Sequence, residues 1–251
     1  MGEGGILSTK RLMSSLDGIT EDGITEEKAM SRFRRLVVPD FFHHVVQRGN
    51  NKQEVFQDEG GHKKYCALLR HFAQKHECKI GAYCLMPNHV HLLLRPPHET
   101  SLAKMMHGIN ISFQHYLNDK TGFVGHVWQS RYFSAPVEEG DDLWRVSAYI
   151  DKNPLRGGLA TDPCAYQFSS ALAHEQGRID HVLTEILFEG RNIKGYSGTL
   201  HSEALNMRDL ERIRLNTQKG HPIGGPAFKQ IVERLIGRPL MLRQSGRPRL
   251  C

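Results

Sequence analysis

The stretch Met86-Pro87-Asn88-His89-Val90-His91-Leu92-Leu93-Leu94-Arg95 decides how this chain folds. Pro87-Asn88 breaks the chain before it and Pro96-Pro97 closes it, so the seven residues between read as a strand, His89–Arg95. Strand side chains alternate. His89 and His91 therefore share one face with Cα atoms about 6.6 Å apart, a span two imidazoles can bridge to one ion. Val90, Leu92 and Leu94 fall on the opposite face and pack into a core. One short strand supplies both a metal face and a core face. The adjacent pair His43-His44 cannot chelate in this way, because neighbours on a strand point apart.

Outward from this strand the elements alternate. Phe41–Arg48, FFHHVVQR, is a strand ending in Arg48-Gly-Asn-Asn-Lys, which has turn chemistry. Tyr65, Leu68, Leu69, Phe72 and Ala73 follow helical spacing. Lys79–Met86 is a strand in which Ile80, Ala82, Cys84 and Met86 are expected on one face. Ser101 to Lys120 is an amphipathic helix through Leu102, Met105, Met106, Ile109, Phe113 and Leu117. His126 to Val137 is expected as the fourth strand. A third helix starts near Gly140-Asp141-Asp142, whose acids suit a helix N-terminus, and ends near Asn153-Pro154. The order β-α-β-β-α-β-α predicts an α+β, ferredoxin-like antiparallel sheet with helices on one face. Residues 160–200 are less regular. Residues 202–217 and 226–236 read as two short helices, giving a small, basic, helical C-terminal region.

Charge divides the chain further. Residues 1–29 carry three Lys/Arg against six Asp/Glu, a net −3, and show no apolar period, as expected of a disordered leader. Met30 offers a second possible start. Residues 30–206 are near neutral at +2. Residues 207–251 carry ten Lys/Arg against three Asp/Glu, a net +7 that suits an anionic partner. The expected division is thus a leader (1–29), a catalytic domain (30–175) and a partly helical basic extension (176–251). Five scattered cysteines form no CxxC pair and imply a reducing compartment, hence cytoplasmic. No apolar run reaches the length of a membrane helix.

The third helix carries Tyr149 and Asn153, four apart on one side. Tyr149 offers a phenol nucleophile. Asn153 offers an amide oxygen, a hard ligand suited to Mg²⁺ or Mn²⁺. A purely structural pair, a core tyrosine and a helix-ending Asn-Pro, would look the same.

With these residues in view, the chain resembles the REP-associated tyrosine transposases of the single-tyrosine, His-hydrophobic-His superfamily. The likeness rests on His44-Val-Val-Gln-Arg-Gly-Asn50, the His89/His91 motif, Gly125-His-Val-Trp-Gln-Ser-Arg-Tyr132, Tyr149-Ile-Asp-Lys-Asn-Pro-Leu-Arg156 and Phe168-Ser-Ser170. It spans roughly residues 32–172. The resemblance implies that His89 and His91, completed by Asn153, hold the divalent ion, and that Tyr149 is the nucleophile. Some relatives place Gln where this chain has Asn153. Tyr132 and Tyr116 are the rival phenols. The implied function is a metal-dependent single-stranded DNA endonuclease and strand transferase acting through a 5′-phosphotyrosine. The implied partner is single-stranded or hairpin DNA, and the resemblance favours a monomer with its site in cis, a dimer being the alternative.

For DNA contact, arginines can clamp phosphates and a tryptophan can stack on an unpaired base, which singles out Arg48, Asn50, Trp128, Gln129 and Arg131. Arg243, Arg247 and Arg249 surround a Gly-Arg-Pro run like the core of an AT-hook. The basic region is expected to supply affinity and contribute little to chemistry. A non-catalytic DNA-binding regulator on the same scaffold is the alternative function. A histidine-triad hydrolase would need a histidine at position 93, which is Leu93.

Overall fold

Four strands carry the fold: β1 (His43–Arg48), β2 (Lys79–Met86), β3 (His89–Arg95) and β4 (Phe133–Pro136). They lie in the order β2-β3-β1-β4 with every pair antiparallel. Helices α1 (Glu59–Lys75) and α2 (Ser101–Thr121) connect β1 to β2 and β3 to β4. This is the expected ferredoxin-like α+β arrangement. Beyond it lie α3 (Asp141–Asp151), α4 (Asn153–Arg156), α5 (Ala171–Gln176), α6 (Arg191–His201), α7 (Met207–Lys219) and α8 (Pro226–Ile236). The computed structural model describes residues 35–122, 124–188, 191–201 and 206–240. The expected leader and Arg243, Arg247 and Arg249 lie outside the described residues.

Local chemistry sets the element ends. Asp58 caps α1 by accepting the Gly61 N–H at 2.8 Å, and α2 ends on Gly122 at φ 67°, a left-handed position that suits glycine. One face of the sheet, built from Val45, Tyr83, Leu85, Val90, Leu92 and Leu94, packs with Tyr65 and Leu69 of α1 and Leu102, Met105, Ile109 and Phe113 of α2.

The second face is also covered, which the element pattern did not anticipate. Ala82, Cys84, Leu93 and Ala135 are apolar there and pack with Val146, Tyr149 and Ile150 of α3 and Ile213 of α7. A face this apolar needs a second layer to remove it from water.

Ile80 corrects the expected alternation of β2. The pairing of β2 with β3 shifts register between Ile80 and Ala82, so Ile80 joins Tyr83 and Leu85 on the α1–α2 side. Gly81 lies in this bulge, and a Cβ there would stand 2.7 Å from the Phe42 ring and 3.0 Å from Leu187.

The fourth strand is shorter than expected. Residues 126–132 do not alternate: the consecutive Val127 and Trp128, and then Tyr132, are buried in the same cluster. The segment keeps only an isolated bridge between Trp128 and Gly49, with Asn50 N–H donating to Val127 O at 2.9 Å and Gln129 N–H to Arg48 O at 3.0 Å.

Residues 160–200 hold more helix than their pattern suggests. α6 contains Gly195 and Gly198, poor helix formers, yet buries Tyr196 and Leu200 against Ala148 and Phe188. Here tertiary packing overrides propensity. α7 starts at Met207, later than expected, because Asn206 caps it by accepting the Asp209 N–H at 2.9 Å.

The C-terminal helices are integral to the fold. α7 places Ile213 in the core, Ile223 bridges in parallel to Val137, and Phe228 and Val232 of α8 pack with Val38. Among the described residues, no helix is long and apolar enough to cross a membrane.

A buried polar knot ties α3 to the sheet. Asp151 is fully buried and accepts from Ser170 (2.7 Å), His174 Nδ1 (2.7 Å) and the Tyr196 hydroxyl (2.6 Å). His174 Nε2 donates to the Gly81 carbonyl at 2.8 Å. Both ring nitrogens face acceptors, so the ring is an imidazolium. Burial alone would lower its pKa, but the Asp151 charge, its hydrogen bond and the Gly81 carbonyl together raise it above the ordinary value. The bulge of β2 and the helix bearing Tyr149 are thereby joined.

Candidate active site

The site forms where β3, β1, α3 and α7 meet on the second face of the sheet. His89 and His91 share that face as the alternation requires, with ring centroids 4.9 Å apart. The preceding Pro87-Asn88 turn is pinned by Gly49, whose N–H donates to Asn88 O at 2.8 Å. A Cβ at Gly49 would lie 2.5 Å from the Gln53 carbonyl and 3.3 Å from Asn88 O. The glycine of the Gln-Arg-Gly-Asn stretch is thus required by a close backbone approach.

Tyr149 reaches the histidines from α3. Its ring centroid is 5.6 Å from that of His91 and 5.5 Å from that of His44, edge-on to both. The rival phenols lie elsewhere. Tyr132 is buried in the α1–α2 core, and Tyr116 sits on α2 beside Lys64 and Lys120.

Hydrogen bonds define which nitrogen each ring presents. His89 Nδ1 pairs with Asn88 Oδ1 at 2.6 Å; an amide oxygen only accepts, so Nδ1 carries the proton and Nε2 the lone pair. His91 Nδ1 pairs with His44 Nε2 at 3.1 Å. Both candidate ligands are held neutral. Burial, with Arg48 nearby, lowers His89 to about 4. Burial, with His89, His44, Arg156 and Arg214 nearby, holds His91 well below its ordinary value. A neutral imidazole with an Nε2 lone pair is the form that ligates a metal.

Asn153 is buried, and its amide Nδ2 donates to the carbonyls of Tyr149 (3.0 Å) and Ile150 (3.2 Å). These bonds carry the chain across the break at Lys152 into α4, so the helix continues past the expected end. The amide oxygen is the atom left for a ligand role.

Three residues absent from the sequence-derived set also belong here. Arg156 stacks its guanidinium over the Tyr149 ring at 4.4 Å and donates to the Tyr149 carbonyl. Its position seven residues on, two helical turns, was the available signal. His44 stands between His91 and Thr217, with its Nδ1 2.7 Å from Thr217 Oγ1. His44 lies 173 residues from Thr217, and no spacing rule joins them.

Of the expected DNA-contact residues, Arg48 is exposed and pairs in register with His89 at the strand end. Gln129 and Arg131 are exposed nearby in the chain, and Asn50 is half-buried. Trp128 is 8% exposed and packs against Tyr65 and Phe113 at 6.1 and 6.3 Å. It is a core residue, contrary to its reading as a stacking platform; two successive inward side chains place it there.

A second group, Asp162, Cys164 and His201, brings its potential ligand atoms within 4.8 Å of one another. Its members are already occupied: Cys164 Sγ donates to Glu175 at 2.7 Å and His201 pairs with the same carboxylate. Burial and Glu175 push the Cys164 thiol pKa up, away from the thiolate a metal would need.

The four-stranded antiparallel sheet thus sets a His-x-His strand against the tyrosine-bearing helix. Residues 37–153 match the family model described as Transposase IS200 like. The fold is that of a solved REP-associated tyrosine transposase bound to a REP hairpin (TM-score 0.51, 16% identity, covering 65% of this chain and 96% of that one). A putative transposase of Deinococcus radiodurans overlaps less, with a TM-score of 0.30 at 24% identity over 43% of this chain and 87% of that one. No curated protein matches the chain. The family match over residues 37–153 supports a transposase-like, DNA-processing role.

Proposed function

We propose that the chain is a single-stranded DNA nicking and joining enzyme that uses Tyr149 as nucleophile beside a divalent ion, Mg²⁺ or Mn²⁺, on His89 and His91. The observation that carries this reading is the approach of Tyr149 to His91, 5.6 Å between ring centroids within one chain. The donor set fits such an ion: two imidazoles on one face, His89 with its lone pair on Nε2, and the Asn153 amide oxygen as a third, hard ligand. When bound, the ion supplies positive charge against the scissile phosphate.

The chain's own residues do the rest. The Tyr149 oxygen attacks phosphorus, and an O–P bond forms as the bond to the 3′-oxygen breaks. The phenol proton leaves to solvent and the departing 3′-oxygen takes one up, so the DNA ends as a 5′-phosphotyrosine and a free 3′-OH. A second 3′-OH reverses the step and rejoins the strand without ATP. Arg156 holds the phenol ring in place. Arg48 at the open strand end, with Gln129 and Arg131, meets the DNA backbone. The hairpin carried by the solved structural neighbour suggests hairpin DNA as substrate. A site assembled in cis supports action as a monomer, in a reducing, cytoplasmic setting.

Incubation with labelled single-stranded hairpin DNA and Mg²⁺ or Mn²⁺, followed by a denaturing gel, tests the reading. A protein–DNA adduct is expected with wild type and is absent for Tyr149→Phe, His89→Ala or His91→Ala. Chelation by EDTA should abolish it. DNA binding without any adduct would instead favour a non-catalytic regulator.

A further inference from the structure

We propose that Thr217 on α7, acting through His44, fixes His91 in the tautomer that presents Nε2 to the ion, making the C-terminal helix a positioning part of the metal centre. This rests on the reading of His89 and His91 as metal ligands.

The direction of the hydrogen-bond chain follows from its far end. The Thr217 hydroxyl donates its single proton to the Ile213 carbonyl at 2.8 Å. At the 2.7 Å contact its oxygen must therefore accept, so His44 Nδ1 carries the proton. A neutral His44 then has its lone pair on Nε2. Across the 3.1 Å contact, His91 Nδ1 must donate. His91 is left with its lone pair on Nε2, the same nitrogen that His89 presents through Asn88. With centroids 5.3 Å apart and ring planes 9° from parallel, His44 and His91 meet edge to edge, as an in-line N–H···N bond requires. Reversing the chain would place a proton on His91 Nε2 and close it to a metal. The Ile213 carbonyl, one turn back on α7, opposes that reversal by taking the Thr217 hydroxyl proton.

The three participants are buried: Thr217 at 2% exposure, His44 at 1% and His91 at 4%. Water therefore does not compete for these bonds. Both nitrogens of His44 are engaged, Nδ1 by Thr217 Oγ1 and Nε2 by His91 Nδ1. Outer partners that orient a ligating histidine commonly change metal affinity 10- to 100-fold when removed. α7 lies beyond the segment matching the transposase family, so this device belongs to the chain's own C-terminal region.

The test uses full-length protein, wild type and the variants Thr217→Val, Thr217→Ser and His44→Leu. Long-range ¹H–¹⁵N NMR of the metal-free protein, with His91 assigned from His91→Gln, reads the tautomer. Mn²⁺ titration followed by electron paramagnetic resonance reads affinity. Expected are Nδ1–H at His91 in wild type and Mn²⁺ affinity about tenfold or more weaker in Thr217→Val. Thr217→Ser, which keeps the hydroxyl, should retain it. His44→Leu should lose affinity similarly, which keeps the test open if Thr217→Val fails to fold. An Nε2–H tautomer at His91 in wild type overturns the proposal. So does unchanged Mn²⁺ affinity in the folded variants while His89→Ala abolishes binding. If His89→Ala and His91→Ala bind Mn²⁺ as tightly as wild type, the reading of the metal site itself falls, a distinct result.

Discussion

Replacing Asp151 with Asn should destabilise the protein by about 3–5 kcal/mol, the range for removing one member of a buried ion pair. The carboxylate is fully buried and accepts from His174, Tyr196 and Ser170, all within 2.7 Å. Asparagine keeps the shape but removes the charge that stabilises the His174 imidazolium, itself bonded to Gly81 O. Against typical domain stabilities of about 5–15 kcal/mol, this loss is large. The pH dependence has a definite sign. His174 has its folded-state pKa raised, so its contribution is complete below the unfolded value of about 6.5 and is lost as pH rises through the folded value. Urea unfolding of both proteins at pH 6 and pH 9 should show the gap widest at pH 6 and narrower at pH 9. A loss under about 1 kcal/mol at pH 6, or a gap that widens with pH, would contradict a buried Asp151–His174 ion pair. The variant should also weaken catalysis, because Asp151 anchors the helix turn that carries Tyr149.

Other perturbations probe separate parts of the structure. Trp128→Ala should cost about 3–5 kcal/mol, as expected of a core aromatic, measurable by urea unfolding; a fully stable variant with impaired DNA binding would restore its reading as a stacking platform. Gly49→Ala should destabilise by about 1–3 kcal/mol, because the new methyl meets the Gln53 carbonyl at 2.5 Å; thermal melting checks this. His43 accepts the Val38 N–H at Nε2 (3.1 Å) and pairs with Phe41 O through Nδ1 (2.9 Å), and burial lowers its pKa to about 4. Its contribution is present above the unfolded value of about 6.5 and is lost as pH falls toward 4, so His43→Gln should flatten the stability–pH slope in that window by up to one proton. Truncation before Met207 should unfold the protein, since it removes Ile213, Ile223 and Phe228 from their cores; circular dichroism would show it.

The sequence made the central strand legible because two rules act there without interference. Breakers bound His89–Arg95, and strict alternation separates the histidines from the leucines. The bounds of β2 and the span of α2 followed similarly from period and punctuation. Ile80 escaped because a bulge at Gly81 reverses side-chain direction within one residue, and nothing in an apolar run marks it. α6 escaped because its glycines weaken the local signal, while burial of Tyr196 and Leu200 supplies the stability. Tyr149 was readable as a candidate from its spacing to Asn153. His44 cannot chelate together with His43, so strand alternation alone assigns it no role. Its partnership with His91 arises from strand pairing, and that with Thr217 from a helix late in the chain. The +7 of residues 207–251 suggested an appended arm, but charge reports on the exposed face of a helix and is silent about Ile213 and Thr217 on the buried one.

Tyr149 is the residue proposed to become joined to DNA. After reaction with a single-stranded hairpin in Mn²⁺ and nuclease trimming, tandem mass spectrometry of the tryptic peptides locates the attached nucleotide. A phosphonucleotide is expected on the peptide containing Tyr149 and none on Tyr132 or Tyr116. An adduct mapped to either of those tyrosines, or retained in Tyr149→Phe, would contradict that assignment.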